Sequence, residues 1–501
     1  MSRTEVLIVG AGPTGLVLAV WLTHLGVKVR IVDKAAEAGT TSRAIAVQAR
    51  TLELYRQLGL DEAVLEGGRR VTAANFWVRN RRAAQALLGP IGQGLSPYPY
   101  VITYAQDEHE RMLESRLAAL GVKVERSTEV TAFSPGPDGV TATVAGEACE
   151  AEYIVGCDGA HSMVRKAVAG DFPGGTYDHL FYVADILASG PALDGELHVD
   201  LDTSDFLAIF PLKGRGRARL IGTIADVGVD PDQLTFDDVS RAAIEGMKIQ
   251  IETVNWFSTY RVHHRVADNF RKGRAFIVGD AAHIHSPAGG QGMNTGLGDA
   301  INLAWKLAAV LQGRAADTLL DTYETERRAF ATRLVATTDE VFTVATSPTP
   351  MARFVRTRVF PIVVSPAVRL AAVRALMFRT ISQIAIAYRK SPLSAGSAGR
   401  VQGGDRMPWV ETASGDNYEG LDPRNWHVEV HGDVRQTLKD WCAMNGVVLH
   451  PHRWTSAAEK AGVQRNAAYL LRPDGYVALA VPGGSDRPLD RYFKSRRMRP
   501  S

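Results

Sequence analysis

Apolar residues along this chain fall into short runs that stop at a glycine or an acid. Glu5–Val9 leads into Gly10-Ala11-Gly12-Pro13-Thr14-Gly15, then Leu16, Ala19, Val20 and Leu22 recur at helical spacing, and Lys28–Val32 ends at Asp33. This order predicts a strand, a glycine turn, a helix and a second strand. Arg50–Gly59 and Asp107–Leu120 read as amphipathic helices, Lys123–Phe133 and Val140–Val144 as paired strands, and Tyr153–Val155 as a strand opening onto Gly156-Cys157-Asp158-Gly159. Between Phe172 and Phe270 the period shortens to two in Leu180–Leu187, Phe206–Pro211 and Arg219–Ala225, and Ala74–Val78 shares it. That alternation predicts a mainly antiparallel sheet inserted into an α/β frame. A further apolar run from Ala275 ends on Asp280, a loop holding Pro287, Gly289, Gly290 and Gly292 follows, and Leu297, Ile301, Ala304 and Ala308 mark a long helix with Asn294 as its expected cap. Apolar helices punctuated by arginines run from Phe354 to Tyr388 and read as packed on the core with basic outer faces.

The first glycine turn has a chemical task. In G-x-G-x-x-G between strand and helix, the second glycine lets backbone approach a pyrophosphate, the third lets helix pack on strand, and an acid about 20 residues on accepts a ribose hydroxyl. Gly10, Gly12 and Gly15, with Pro13 and Thr14 between them, Asp33 and the adjoining Lys34 meet that pattern. Asp158-Gly159 repeats the logic of a strand end facing a phosphate or ribose. The Asp280 to Asn294 stretch suits a flat anion: a carboxylate at a strand end, a stiffening Pro287, glycines at 290 and 292 without Cβ atoms, and a helix N-terminus at Met293-Asn294. One G-x-G-x-x-G is present, so a second dinucleotide would bind transiently rather than in a domain of its own.

The chain has 501 residues, 46% hydrophobic and 22% charged, with a net charge of +3. This is globular composition, long enough for two or three domains, with no basic tail to favour nucleic acid. Cys149, Cys157 and Cys442 form no C-x-x-C pair, and neither a metal-ligand set nor a nucleophilic triad stands out, so a reducing, cytoplasmic setting without stable membrane association is expected.

The run GDAAH...P.GGQGMN.G..DA.NL.WKL, from Gly279 to Leu307, together with the two other boxes, resembles the class A flavoprotein aromatic hydroxylases of the para-hydroxybenzoate hydroxylase and phenol hydroxylase type. The resemblance implies a Rossmann-like FAD domain (residues 1–71, 100–171 and 271–393), a substrate domain (72–99 and 172–270), a linker (394–404) and a C-terminal thioredoxin-like domain (405–501). It also implies an arginine on the pyrophosphate at Arg43, a glutamine near the ribose at Gln106, and FAD contacts at Asp158, Gly159, Asp280 and the Pro287–Asn294 loop. Arg165 is left between positioning NAD(P)H and pairing with Asp158. In this chemistry NAD(P)H reduces the flavin, O2 adds at C4a, and the hydroperoxide gives one oxygen to an electron-rich aromatic substrate.

Phe206, Phe210, Trp256 and Phe257 are candidate pocket residues, with His179, His198, His263 and His264 as polar candidates and none singled out as a base. A Baeyer–Villiger or epoxidising oxygenase, or an FAD oxidoreductase that does not use oxygen, would fit the same scaffold. The solitary Cys442 departs from a working thioredoxin, leaving a structural or homodimer-forming role for the C-terminal block.

Overall fold

A computed structural model describes residues 2–39, 44–89, 91–136, 138–201, 206–224, 233–239, 241–286, 290–346 and 349–500. Three sheets organise them. In the first, Val29–Val32, Ser2–Val9, Glu147–Gly156 and Ala275–Ile277 lie side by side and parallel, with the register Val32, Val9, Gly156, Ile277 across the sheet. That register brings four carboxyl ends to one edge, so Asp33, Gly10, Asp158 and Asp280 follow along a single rim. Parallel strands are covered on both faces, and Val6, Leu7 and Ile8 are fully buried. The helix Pro13–His24 was expected to show one apolar stripe. Instead Leu16 to Leu22 is buried all round, because the helix is wedged between this sheet and the helix Gly292–Leu311.

The second sheet has eight strands and is antiparallel except where Leu197–Asp200 runs beside Ala73–Val78. Its two long strands, Gly174–Ser189 and Gln250–Val266, pair with each other towards one end of the sheet. The expected strand Lys123–Phe133 is shorter, Val130–Pro135, and its hairpin with Val140–Val144 belongs to the first sheet.

The third sheet centres on His427–His431, parallel to Val448–His452 through the helix Gln436–Met444, and antiparallel to Ala468–Leu471, which turns into Val477–Val481 before the helix Arg487–Ser495. Residues 394–404 are not a bare linker. Ala395–Ala398 pairs parallel with Val477–Val481 and antiparallel with Val401–Gln402, extending this sheet. The arginine-rich helices also differ from expectation: Met351, Phe354, Ile362, Val363, Leu370 and Leu376 are exposed. Phe378 and Val368 of the same stretch are buried in the core as expected, and at the rim of the second sheet Phe360 meets Phe76 edge-on and Ser365 bonds the backbone of Gln85. Among the described residues no single helix is long and apolar enough to cross a membrane.

Candidate cofactor and active site

The glycines of the first turn occupy three different environments. A Cβ on Gly10, whose φ is +101°, would stand 2.4 Å from the Cys157 carbonyl oxygen, and one on Gly15 would stand 2.0 Å from the Gly10 carbonyl oxygen. Those two glycines hold strand, helix and the Asp158 box together. A Cβ on Gly12 would meet nothing within 4 Å. Gly12 precedes the helix Pro13–His24, and no side chain caps that helix, so its first N–H groups have no side-chain acceptor. This geometry fits an approaching pyrophosphate.

Thr14 ties this turn to the other boxes. A Cβ on Gly279 would lie 2.8 Å from its Oγ1 and one on Gly296 would lie 2.4 Å away, so the two helix starts close on each other only because both positions are glycine. Asp33 receives the Ala11 N–H on Oδ2 (2.7 Å) and the Ala35 N–H on Oδ1 (2.8 Å), which fixes the turn and leaves lone pairs for a ribose hydroxyl. Arg126 lies 3.8 Å from Asp33 and also bonds Glu114, a counter-charge that the sequence alone did not single out. Lys34 is exposed beside it. Gln106 Oε1 accepts the Ala44 N–H (2.9 Å) and its Nε2 donates to Glu110, so it holds the segment after residue 43 in place. Arg43 and Pro287 lie outside the described residues.

Ser162 caps the helix Met163–Val168, and Asp158 adds a bond to its first turn. Asp158 Oδ2 accepts from Met163 N–H (2.7 Å), and its Oδ1 is buried without a hydrogen-bond partner. The neighbouring Gly159, at φ +72°, is open: a Cβ there would meet nothing within 4 Å. The accessible element of this box is thus the glycine, positioned by the acid. Arg165 spends its hydrogen bonds away from Asp158. It donates to the carbonyls of Ala160 (2.8 Å) and Ala281 (3.3 Å) and lies over Phe172, bridging this box to the third.

In the third box Asp280 is exposed in the turn Gly279–Ala281 at the end of its strand. Asn294 is not a cap, because the helix begins at Gly292 after Gln291 without any side-chain cap. Its amide is a four-way clamp: Oδ1 accepts from Gln48 N–H and Thr51 Oγ1 (both 2.8 Å), and Nδ2 donates to the carbonyls of Ala46 (2.9 Å) and Gly290 (3.0 Å). Gly290, at φ +63°, leaves its Cβ position 2.9 Å from the Ala46 methyl, and Met293 is half-buried beside it. The uncapped N–H groups of Gly292–Leu311 therefore project beside Gly12's helix, where a reduced flavin anion would be favoured.

His285 is a residue that sequence reasoning passed over. It is buried, its Nδ1 pairs with the Ser286 carbonyl (2.8 Å), its Nε2 has no partner, and a Cβ on Gly292 would lie 3.9 Å from that nitrogen. Burial, aided by neighbouring His283, pulls its imidazole down to about 4. An unfolded imidazole titrates near 6.5, so between pH about 6.5 and 4 the unfolded chain binds a proton that the folded one does not, and stability falls as pH drops through that window and levels off below it. Denaturant titrations at pH 7 and pH 4 should show the parent losing on the order of 3 kcal/mol more than His285→Gln. Equal losses would place that acid sensitivity elsewhere.

The four aromatic candidates separate across the second sheet. Trp256 and Phe210 pack with Val183 and Ile221 against Ile45 and Ala105, on the face turned to the first domain. Phe206 joins Phe181, Tyr260 and Tyr177. Phe257 faces the other way, stacked on Tyr182 beneath Phe236, and is core rather than pocket. Trp77 is core as well, donating to His198 Nδ1 (2.8 Å), whose Nε2 meets Asp194, so His198 is structural. His263 bonds Thr176, and His264 stands edge-on to Tyr177. The side chain of His179 lies outside those described. Arg219, fully buried, forks onto Asp185 and donates to the Ala44 carbonyl (2.9 Å), pinning this face to the first domain.

The family described as "FAD binding domain" matches residues 3–338. The chain is 36% identical to 6-methylpretetramide 4-monooxygenase of Streptomyces rimosus, over 95% of this chain and 90% of that one. It is 33% identical to dialkyldecalin synthase of Streptomyces rugosporus, over 98% and 99% of the two chains. The solved structure of the anhydrotetracycline hydroxylase OxyS from Streptomyces rimosus superposes with a TM-score of 0.79 at 28% identity, covering 100% of both chains.

Proposed function

The chain belongs to the class A FAD-dependent aromatic hydroxylases, and from that premise we propose that this NAD(P)H-dependent flavoprotein monooxygenase hydroxylates a phenolic ring within a polycyclic substrate. The observation that carries the reading is the convergence of three glycine boxes on one sheet edge, beneath an aromatic face of the second sheet. The relatives that act on 6-methylpretetramide and anhydrotetracycline match nearly the whole chain, which favours fused rings over small phenols.

FAD, when bound, supplies the acceptance of a hydride from NAD(P)H and the transfer of one oxygen atom to the ring, the other oxygen leaving as water. The protein's own share is binding, orientation and exclusion of water. Gly12 and the first turn of Pro13–His24 would hold the pyrophosphate, Asp33 the ribose, and Gly159 and Asp280 the middle of the cofactor. The uncapped start of Gly292–Leu311 would steady negative charge on the reduced ring system. Trp256 and Phe210 would cover the reacting ring on its second face and keep bulk water out. Neutral His285, buried beside Gly292, has a ring nitrogen able to accept a hydrogen bond at that end of the site.

The connectivity of the third sheet, a parallel βαβ unit followed by an antiparallel hairpin and a helix, supports a thioredoxin-like origin for the C-terminal layer. Cys442 within it is buried, and burial pushes its thiol up to about 12, which suits a structural role.

The synthase relative supports one competing reading, a flavoprotein that closes rings without consuming oxygen. NADPH oxidation and O2 uptake measured across phenols of one to four rings separate the two. We expect tricyclic or larger phenols to stimulate both rates by at least about 10-fold over the substrate-free rate, the withholding of reduction until substrate binds being the basis. Product formation without O2 uptake would favour ring closure instead, and stimulation by monocyclic phenols alone would sink the polycyclic assignment.

A further inference from the structure

A second polar centre lies in the third sheet, built from two short sequences with matching period. His427-Val428-Glu429-Val430-His431 and His450-Pro451-His452 run parallel in the register Glu429 to His450 and His431 to His452. In strands alternate residues share a face. Val428 and Val430 enter the apolar layer beside Leu438 and Trp441, so Glu429 and His431 point the opposite way, and they too are fully buried.

Glu429 Oε1 lies 2.5 Å from His431 Nε2, 2.9 Å from Asn417 Nδ2 and 4.0 Å from His452 Nε2. Among the described residues no lysine or arginine pairs with this carboxylate. Three atoms of the cluster, Glu429 Oε2, His431 Nδ1 and His452 Nε2, are buried without any hydrogen-bond partner. A buried carboxylate beside unpartnered ring nitrogens is unfavourable unless a cation or proton compensates it. Glu429, His431 and His452 can each offer one ligand atom with all three within 4.8 Å of one another, which suits a shared cation.

We propose that Glu429, His431 and His452 bind a divalent first-row transition ion of the zinc class, fastening the strands His427–His431 and Val448–His452 to each other. Two imidazoles and one carboxylate are a donor set such ions accept, with water able to complete the shell. Tetrahedral ligands at bond lengths near 2.1 Å stand about 3.4 Å apart, so from 2.5 and 4.0 Å His431 must open by about 0.9 Å and His452 must close by about 0.6 Å on the carboxylate. Asn417 already orients the carboxylate from outside, as the hydrogen-bond partners of metal ligands do. The expected absence of a metal-ligand set rested on the lack of a C-x-x-C pair. The alternating H-x-E-x-H and H-x-H pattern of paired strands is a different signature.

The test uses full-length flavoprotein, equilibrated with micromolar zinc chloride, dialysed, and assayed by elemental analysis and by calorimetric titration with zinc alone. About one zinc per chain is expected to be retained, with zinc raising the melting temperature of the parent. Cobalt substitution should give visible d–d bands of a nitrogen and oxygen site. His452→Asn, the variant at the least buried ligand, and Glu429→Gln should each weaken zinc binding by at least the roughly 10–100-fold typical of losing a residue that merely supports a ligand, while FAD content stays at the parental level. Zinc retention at background with no melting shift in the parent overturns the proposal. So does parental zinc affinity in the Glu429→Gln, His452→Asn double variant with FAD content intact.

Discussion

Gly12→Val is expected to leave the apoprotein as stable as the parent while lowering FAD affinity on the order of 100-fold, about 2.7 kcal/mol. Two observations separate these outcomes. The backbone at Gly12, φ −73° and ψ −177°, is extended and open to any residue, and a Cβ there meets no protein atom within 4 Å. The added methyl groups would instead fill the space over the first turn of Pro13–His24, where the pyrophosphate is proposed to rest. Gly15→Ala is the control with the opposite signature, since its Cβ would lie 2.0 Å from the Gly10 carbonyl and wedge helix from strand. Overpacking of that kind costs about 1–3 kcal/mol whether or not flavin is present. Thermal melts of deflavinated protein and flavin-fluorescence titrations distinguish the two. A Gly12→Val protein that loses apo stability yet binds FAD normally would make Gly12 a packing residue and remove the support for the cradle.

The packing role of Gly15 was legible because the motif is local: the atom its Cβ would strike, the Gly10 carbonyl oxygen, lies within the same six residues. Asn294 was not. A polar residue ahead of an apolar stripe looks like a cap, and nothing nearby reveals that its partners are Ala46, Gln48 and Thr51, some 240 residues earlier. The same distance problem divides Trp256 from Phe257. Adjacent residues on a strand must face opposite ways, but which face meets Ile45 and Ala105 depends on how Arg219 and the long strands dock, and no window of sequence contains that information. The short strands of residues 394–404 were hidden for a related reason, because a Ser/Gly/Ala stretch shows little periodicity until Val477–Val481 supplies the partner edge. His285 was masked by its own motif, in which His283 draws attention, although it is His283 that is committed to Asp299.

Arg472→Met is expected to destabilise the protein by about 3–5 kcal/mol, the cost of stranding a buried charge. Arg472 forks onto Glu326 at 2.7 and 3.0 Å and also holds Asp474. Glu326 accepts in addition from Lys306 Nζ (2.9 Å), Asn302 (2.7 Å) and Ser391 (2.6 Å), all out of water. In the parent Arg472 pairs with both carboxylates; in the variant Glu326 keeps Lys306 as its ion-pair partner and the Asp474 carboxylate loses Arg472. Glu326→Gln added to Arg472→Met should recover part of the loss, because it removes one of the two carboxylates that lost Arg472.

Acid gives an independent reading. Burial alone would raise the Glu326 carboxyl, but Arg472 and Lys306 overcome it and hold the group well below the usual carboxylate range. Its contribution to stability is therefore complete above pH about 4.3 and is lost as pH falls below that value towards the depressed folded pKa. Without Arg472 the carboxyl should take up its proton at higher pH, so the gap between parent and variant should narrow from pH 7 to pH 4. A gap that stays constant would mean that packing, not charge, carries the effect. Lys306 and Asn302 lie on the helix Gly292–Leu311, whose first turn borders the proposed flavin site, while Arg472 belongs to the C-terminal layer. Loosening this contact should thus also raise the rate of flavin loss, linking the C-terminal layer to cofactor retention through one buried arginine.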